Sequence, residues 1–419
     1  MEGYRTRFAD RALHDALKTF GAVILQGPRA VGKTTTGQAA ATSSVRLDSS
    51  PHMPALAEAA PSSILRGETP RLIDEWQLAP TIWNDVRHEV DQRAGKGHFI
   101  LTGSATPADD ITRHSGAGRF RRITMRPMSL AESGESNEAV SLGSLFEGEG
   151  QATLGGPSVE EYAHLVVRGG WPELVNTPEA NPADYLQSYV DDISRTDLQA
   201  ADMRVDPLRM EALIRSLARN VATEVSVPKL AAEADLPSTG DVSVSLRSAR
   251  TYLDALQSIF VLEEQPAWST HLRSKVRLRV HPKWHFIDPS LAAAALQASP
   301  GALLEDLNTF GFLFESMAIR DLRIYADVHR GRTSHYRDSS HLEIDAVVEL
   351  RDGRWAAFEV KIGGQKHIDA AAENLLRLRA KVSAQRAEQL QALVVLTAGD
   401  MTYLRDDGIQ VLSLGHLTA

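Results

Sequence analysis

Gly27-Pro28-Arg29-Ala30-Val31-Gly32-Lys33-Thr34 decides how this chain is read. The run matches G-x-x-x-x-G-K-[ST] in full. An apolar run at residues 22–25 leads into it, and a helix-compatible run at residues 34–41 leads out. Glycines let backbone N–H groups turn inward around a phosphate, and the helix amino terminus adds the positive end of its dipole. Gly27, Pro28, Arg29, Ala30, Val31, Gly32, Lys33, Thr34 and Thr35 are therefore the expected phosphate cradle. Lys33 is expected to bridge the β- and γ-phosphates of a nucleotide such as ATP, and the Thr34 hydroxyl to bind Mg2+.

Further short apolar runs at residues 45–47, 71–73 and 98–101 alternate with helical stretches, the pattern of a parallel sheet with helices on both faces. The run Arg71-Leu72-Ile73 ends in Asp74 and Glu75. Asp74 is expected to hold Mg2+ directly or through water, and Glu75 to orient and deprotonate the attacking water. A carboxylate pair at a strand end is weak alone and gains weight from the loop upstream. The run Phe99-Ile100-Leu101 leads to Ser104, a candidate hydrogen-bond partner for the water or the γ-phosphate, although a small polar residue there also fits a plain turn. Arg119, in Gly116-Ala117-Gly118-Arg119, is a candidate arginine finger, acting in its own subunit or, in a homo-oligomer, on a neighbour's ATP.

The chain has 419 residues, enough for two or three domains, and no cysteine. That excludes disulfides, thiolate zinc sites, iron–sulfur clusters and a cysteine nucleophile. The net charge of −9 does not describe a general polyanion binder, but leaves room for local basic surfaces. No apolar run is long enough to span a membrane, and the first residues lack a signal-peptide core, so the expectation is a soluble cytoplasmic protein. His88-Glu89 begins like a zincin motif but lacks the second histidine.

The segment 127–167 carries seven glutamates and no Lys or Arg, with many Gly and Ser residues, and reads as an acidic linker or surface insertion. Residues 184–196 and 206–221 have helical spacing. Residues 227–234 and 242–259, with a turn at 235–240, suggest a helix-turn-helix pair. Apparent strands at 260–265 and 276–286 complete a winged-helix outline. One face of the second strand would carry Lys275, Arg277, Arg279 and His281, and residues 265–287 contain no acidic residue. This reads as a phosphate-contacting wing, aided by Arg247 and Arg250, or equally as a charged edge strand.

From residue 304 a helix (304–325), strands at 342–350 and 355–361, a helix (367–390) and strands at 392–397 and 409–412 form another α/β unit. Asp352-Gly353 marks a hairpin turn between its first two strands. Across that hairpin Asp345 can approach Glu359 and Lys361, which share a face, and Glu315 on the preceding helix adds a carboxylate. Carboxylates that hold Mg2+ beside a lysine suit phosphodiester cleavage. Spacing alone does not separate this from ordinary surface charges on a strand pair.

Together GPRAVGKTT, RLIDEWQLAP, FILTGSA, GAGRF and RPMSLAE resemble the prokaryotic AAA-like P-loop ATPases that carry a carboxy-terminal domain of unknown function. RGGWPELV, GFLFES and HLEIDAVVELRDGRWAAFEVKIG extend the resemblance over nearly the whole chain. It implies ATP, Mg2+ and a nuclease-like tail, whose D…ExK core resembles the restriction-endonuclease-like fold. The expected fold class is α/β: a P-loop NTPase parallel sheet (1–135), an acidic insertion (136–181), a helical winged-helix-like middle (182–290) and a restriction-endonuclease-like α/β domain (291–419). The expected function is an Mg2+-dependent ATPase coupled to a carboxy-terminal domain that binds DNA or RNA and cleaves it. The alternative is a nucleotide-gated DNA-binding or regulatory module with an inactive nuclease-like domain.

Overall fold

Strand β1 (Ala22–Gln26) is almost wholly apolar and buried at its four apolar residues, as a central strand of a parallel sheet must be. The structure, a computed structural model, describes residues 3–105, 116–197, 205–234, 244–269 and 281–419. The chain divides into two compact units. The first is Met1–Pro127 with Thr196–Arg204 and Asp254–Val261; the second is Met128–Arg195, Val205–Leu253 and Leu262–Ala419.

In the first unit β1 joins β2 (Ser43–Arg46), β3 (Arg71–Asp74), β4 (Phe99–Gly103) and β5 (Phe120–Thr124) in a five-stranded sheet of order β2-β3-β4-β1-β5. Every pairing is parallel. All five carboxyl ends therefore lie on one edge, where α/β sheets place their ligands. The expected strands are present within a residue or two at their ends. Ile24, Ile73, Trp76, Ile82, Trp83 and Phe99 are among the residues of one apolar cluster, with Trp83 stacked on Phe120 at 4.1 Å between ring centroids.

The second unit is built on a seven-stranded mixed sheet, order β10-β11-β12-β13-β15-β14-β7. Its strands are β7 (Thr153–Leu154), β10 (Arg332–Arg337), β11 (Glu343–Glu349), β12 (Trp355–Lys361), β13 (Leu390–Thr397), β14 (Met401–Leu404) and β15 (Gln410–Ser413). The hairpin turn at Asp352-Gly353 joins antiparallel β11 and β12, with Gly353 at φ 91°. Strand β6 (Val140–Ser141) pairs in parallel with β16 (Leu417–Thr418), and β8 (Leu262–Gln265) pairs antiparallel with β9 (Lys283–Phe286). The 22-residue helix Leu307–Val328 packs on β10, β11 and β12 and is buried for most of its length, its polar Glu315, Ser316, Arg320, Asp321 and Arg323 included. Helix Gln365–Lys381 covers an apolar cluster that includes Trp268, Val347, Trp355, Leu375 and Val395.

The expected linker at 136–181 is corrected by its pairing. β6 and β7 hydrogen-bond to strands at the far end of the chain, and Val140, Leu142, Phe146, Tyr162 and Val166 are buried. Several glutamates of the acidic stretch 127–167 have structural partners. Glu132 and Glu161 close capping boxes with Ser129 and Ser158. Glu135 pairs with Arg168 at 2.7 Å, and Glu147 with Arg354 at 3.0 Å.

Three strands of the seven-stranded sheet escape the sequence pattern. β10 (RTSHYR) is a polar edge strand, β14 carries one buried residue in four, and β7 is two residues long. The expected single helix at 367–390 is two, Gln365–Lys381 and Ala384–Glu388, separated where Val382 and Ser383 turn extended.

In the middle of the chain lie helices Pro207–Arg219, Val227–Ala234 and Leu246–Ser258, followed by the β8–β9 pair. The expected turn at 235–240 and Lys275, Arg277 and Arg279 lie outside the described residues; Arg247, Arg250 and His281 are exposed. No described helix is long and apolar enough to cross a membrane.

Candidate functional site

The loop between β1 and helix Lys33–Ala40 has the backbone that its glycines permit. Gly27 has φ 153° and Gly32, at the helix amino cap, φ 91°. A Cβ at Gly27 would lie 2.2 Å from the Met125 carbonyl oxygen, so only glycine fits there. Ala30 is also left-handed, at φ 61°, a conformation that an L-residue adopts at a cost. The Lys33 ammonium lies along the loop and donates to the Pro28 carbonyl at 2.6 Å.

Because β4 lies between β1 and β3, its carboxyl end brings the loop and the acidic pair together. The Thr34 hydroxyl donates to Asp74 Oδ1 at 2.8 Å. The Thr102 hydroxyl on β4 donates to the same oxygen and accepts the Glu75 backbone N–H at 3.3 Å. Asp74 is buried, and its Oδ2 has no hydrogen bond, with Arg46 Nε 3.6 Å away. A buried carboxylate oxygen without a hydrogen bond, next to a threonine hydroxyl, fits a hard divalent cation such as Mg2+. Glu75 sits in the left-handed region at φ 57°, and Gln77 Nε2 donates to both Glu75 Oε2 and Ser104 Oγ, the latter at 3.3 Å. Lys33, Thr34, Asp74, Glu75 and Ser104 thus share one sheet edge.

Arg119 does not join them. It immediately precedes β5, and its carbonyl accepts the Ala22 N–H at the start of β1. It therefore lies at the amino edge of the sheet, about 16 Å from the loop at ~3.3 Å per strand residue. Its guanidinium pairs with Asp91 at 2.6 Å. A finger acting on its own subunit's γ-phosphate is excluded by that strand length.

Sequence reasoning missed Thr102, Gln77 and Arg7. Arg7 is buried and donates to the Val31 carbonyl at 2.9 Å and the Arg126 carbonyl at 2.7 Å, tying the loop to the segment after β5. A threonine inside the apolar run FILTG was the available signal for Thr102. Arg7 gave none, since its partners are remote in sequence.

The carboxy-terminal candidates also converge, with an addition. Lys361 Nζ lies 2.7 Å from Glu359 Oε2 and 3.1 Å from Asp345 Oδ2, which also accepts the Val360 N–H at 2.8 Å. Asn374 donates to Glu359 Oε1 at 3.2 Å. Glu315 is brought in by Lys283 of β9, whose ammonium is 2.9 Å from Glu315, 2.9 Å from Glu343 and 3.5 Å from Asp345. Burial and the Asp345 charge push the Glu359 carboxyl up to about 8, and burial and Asp345 push Glu315 up to about 7. Burial would raise Asp345 as well, but the Lys361 and Lys283 ammoniums and the Val360 N–H hold it below the usual range.

This arrangement does not fit the divalent ion expected on Asp345, Glu359 and Glu315. Both oxygens of Asp345 and of Glu359, and one of Glu315, already face an ammonium or N–H group. Among the described residues no group of three His, Cys, Asp or Glu side chains is placed to hold a metal ion.

A buried network around Asp288 and Arg320 holds two further motifs. Asp288 accepts from Arg320 at 2.7 Å and from the Gly170 N–H at 3.0 Å, and Arg320 also pairs with Asp321 at 2.7 Å. Asp321 accepts the Leu130 N–H at 3.0 Å, and Trp171 Nε1 donates to Ser290 at 2.9 Å. RGGWPELV and the SLAE turn are thus held by one buried network.

Residues 19–134 match the AAA domain family, residues 159–302 a domain of unknown function (DUF8612), and residues 310–417 another (DUF4143). Uncharacterized proteins of Mycobacterium bovis and Mycobacterium tuberculosis are each 26% identical over 356 residues, covering 84% of this chain and 71% of theirs. The chain therefore carries an AAA-type P-loop domain, of a kind that binds ATP, at its amino end, followed by two domains of unknown function.

Proposed function

We propose that this chain is an Mg2+-dependent ATPase whose nucleotide state governs a nucleic-acid-binding carboxy-terminal region with a nuclease-like core. The observation that carries the reading is the shared sheet edge of Lys33, Thr34, Asp74, Glu75 and Ser104. Loop N–H groups and Lys33 bind the phosphates. Thr34 and Asp74 hold Mg2+, which when bound neutralises phosphate charge. Glu75, its backbone fixed by Thr102 and its side chain by Gln77, orients and deprotonates the attacking water, and Ser104 completes the polar edge. Lys33→Ala removes the loop's ammonium, the group assigned to the phosphates, and should abolish ATP binding or turnover by the purified protein. Undiminished hydrolysis refutes the assignment.

The nucleic-acid part rests on Lys275, Arg277, Arg279 and His281 together with exposed Arg247 and Arg250. Charge reversal at Arg277 and Arg279 should weaken DNA or RNA binding and flatten its salt dependence. An unchanged binding curve points to a protein partner instead. The lysine-filled carboxylate cluster favours a second reading, a nucleotide-gated binding or regulatory module that does not cleave. Cleavage lost on Asp345→Ala would restore the nuclease reading.

A further inference from the structure

Lys283 is a lysine at 2% exposure, and burial of an ammonium is tolerated only with close counter-charges. It has three, Glu315, Glu343 and Asp345, drawn from the helix Leu307–Val328 and from β11. Its backbone is fixed as well. Lys283 pairs with Gln265 across β8–β9 and bridges to Glu224 on its other side. Gln265, itself fully buried, donates to the Asp345 carbonyl at 2.8 Å and meets His285 at 3.0 Å, and His285 reaches Ser316 at 3.1 Å. The strand that delivers the ammonium is thus registered against both elements that carry the carboxylates. Lys361 supplies the second positive charge from the other side of Asp345.

We propose that Lys283 is the resident cation of this carboxylate cluster, standing where a divalent ion would have to bind Glu315 and Asp345, so that the native cluster excludes Mg2+ and Mn2+. The inference rests on the nuclease-like reading of the fold and replaces its metal chemistry with an internal ion pair. It also gives the ion pair a second task. Lys283 lies within the segment 159–302 and its partners within 310–417, so the cluster joins the two matched regions of unknown function.

The test is Mn2+ binding by the full chain without nucleotide, read from the free aqua-ion signal in electron paramagnetic resonance. Five proteins are compared: native, Asp345→Asn, Lys283→Met, Lys283→Met with Glu343→Gln, and the lysine-free variant with Asp345→Asn added. The double variant removes one charge of each sign and keeps the fold testable if the single variant unfolds. The proposal expects native protein and Asp345→Asn to bind Mn2+ alike. It expects the lysine-free variant to gain a site at least ~10-fold tighter, because the ammonium no longer repels the ion. Adding Asp345→Asn to that variant should abolish the gain. An Asp345-dependent Mn2+ site in native protein overturns the proposal and leaves the nuclease reading standing. No gained site in a folded lysine-free variant overturns both, since the carboxylates would then lack any metal-binding geometry.

Discussion

Thr102→Val tests whether the sheet edge is a working catalytic arrangement. Thr102 is fully buried, and its hydroxyl makes two contacts at once, donating to Asp74 Oδ1 and accepting the Glu75 N–H at 3.3 Å. Valine keeps the branched shape and deletes only the hydroxyl. The bond to a charged carboxylate contributes about 1.5–3 kcal/mol and the longer bond from a backbone N–H about 0.5–1 kcal/mol, so the loss should be roughly 2–4 kcal/mol. Asp74 retains Thr34, so metal and phosphate contacts survive in part. Glu75 loses its backbone anchor in a left-handed conformation, and a displaced base costs up to ~100-fold in turnover. The expected result is a kcat lowered ~10- to 100-fold in a phosphate-release assay at saturating ATP, with a smaller change in KM. In urea titration the transition that ATP stabilises, assigned to the amino-terminal unit by that ligand dependence, should move to lower urea. Thr102→Ser, which keeps the hydroxyl, should recover most of both. A valine variant with unchanged kcat and unchanged midpoint would show that Asp74 and Glu75 do not depend on β4, and the roles given to them would fall.

Two further predictions concern the carboxy-terminal unit. Arg320→Met strands the fully buried Asp288 and Asp321 without their guanidinium and should cost ~3–5 kcal/mol, read as a fall in the unfolding midpoint; a loss no larger than that of a surface arginine would refute the network. Glu359 and Glu315, held near 8 and 7 in the folded chain, have unfolded values of about 4.3, so their contribution is complete below about pH 4 and is lost as pH rises through 7–8. Stability of this unit should therefore fall between about pH 5 and pH 9, and Glu359→Gln, which mimics the protonated form, should flatten that fall; an equally steep profile would mean Glu359 is already ionised at neutral pH.

The amino-terminal site was legible because its chemistry is written locally. Eight consecutive residues define the loop, and Asp74 and Glu75 are adjacent at one strand end. Parallel pairing then does the assembly, since every strand's carboxyl end meets the same edge. What stayed hidden was the strand order. Nothing in a single sequence places β4 between β1 and β3, and that placement is what makes Thr102 and Gln77 part of the site. The same topology removed Arg119, whose glycine-rich setting resembles a mobile finger while its position one strand length away forbids the role in its own subunit.

The carboxy-terminal cluster shows the opposite limit. Asp345, Glu359 and Lys361 were identified by strand alternation and a hairpin turn, and their side chains do meet. What the sequence does not show is Lys283, a member of the acid-free stretch 265–287 that nothing in the residue pattern sets apart from its neighbours, yet its ammonium reaches Glu315 and Asp345. Charge sign alone cannot tell a solvated lysine from a buried one; the difference lies in which carboxylates fold onto it. The apparent acidity of the insertion misled for the same reason. Glu132, Glu135, Glu147 and Glu161 serve as helix caps and ion-pair partners. A charged residue's role is set by its three-dimensional partner. In this chain those partners are sequence neighbours at the caps, and remote at the carboxylate cluster, where Lys283 of β9 meets Glu315 and Asp345.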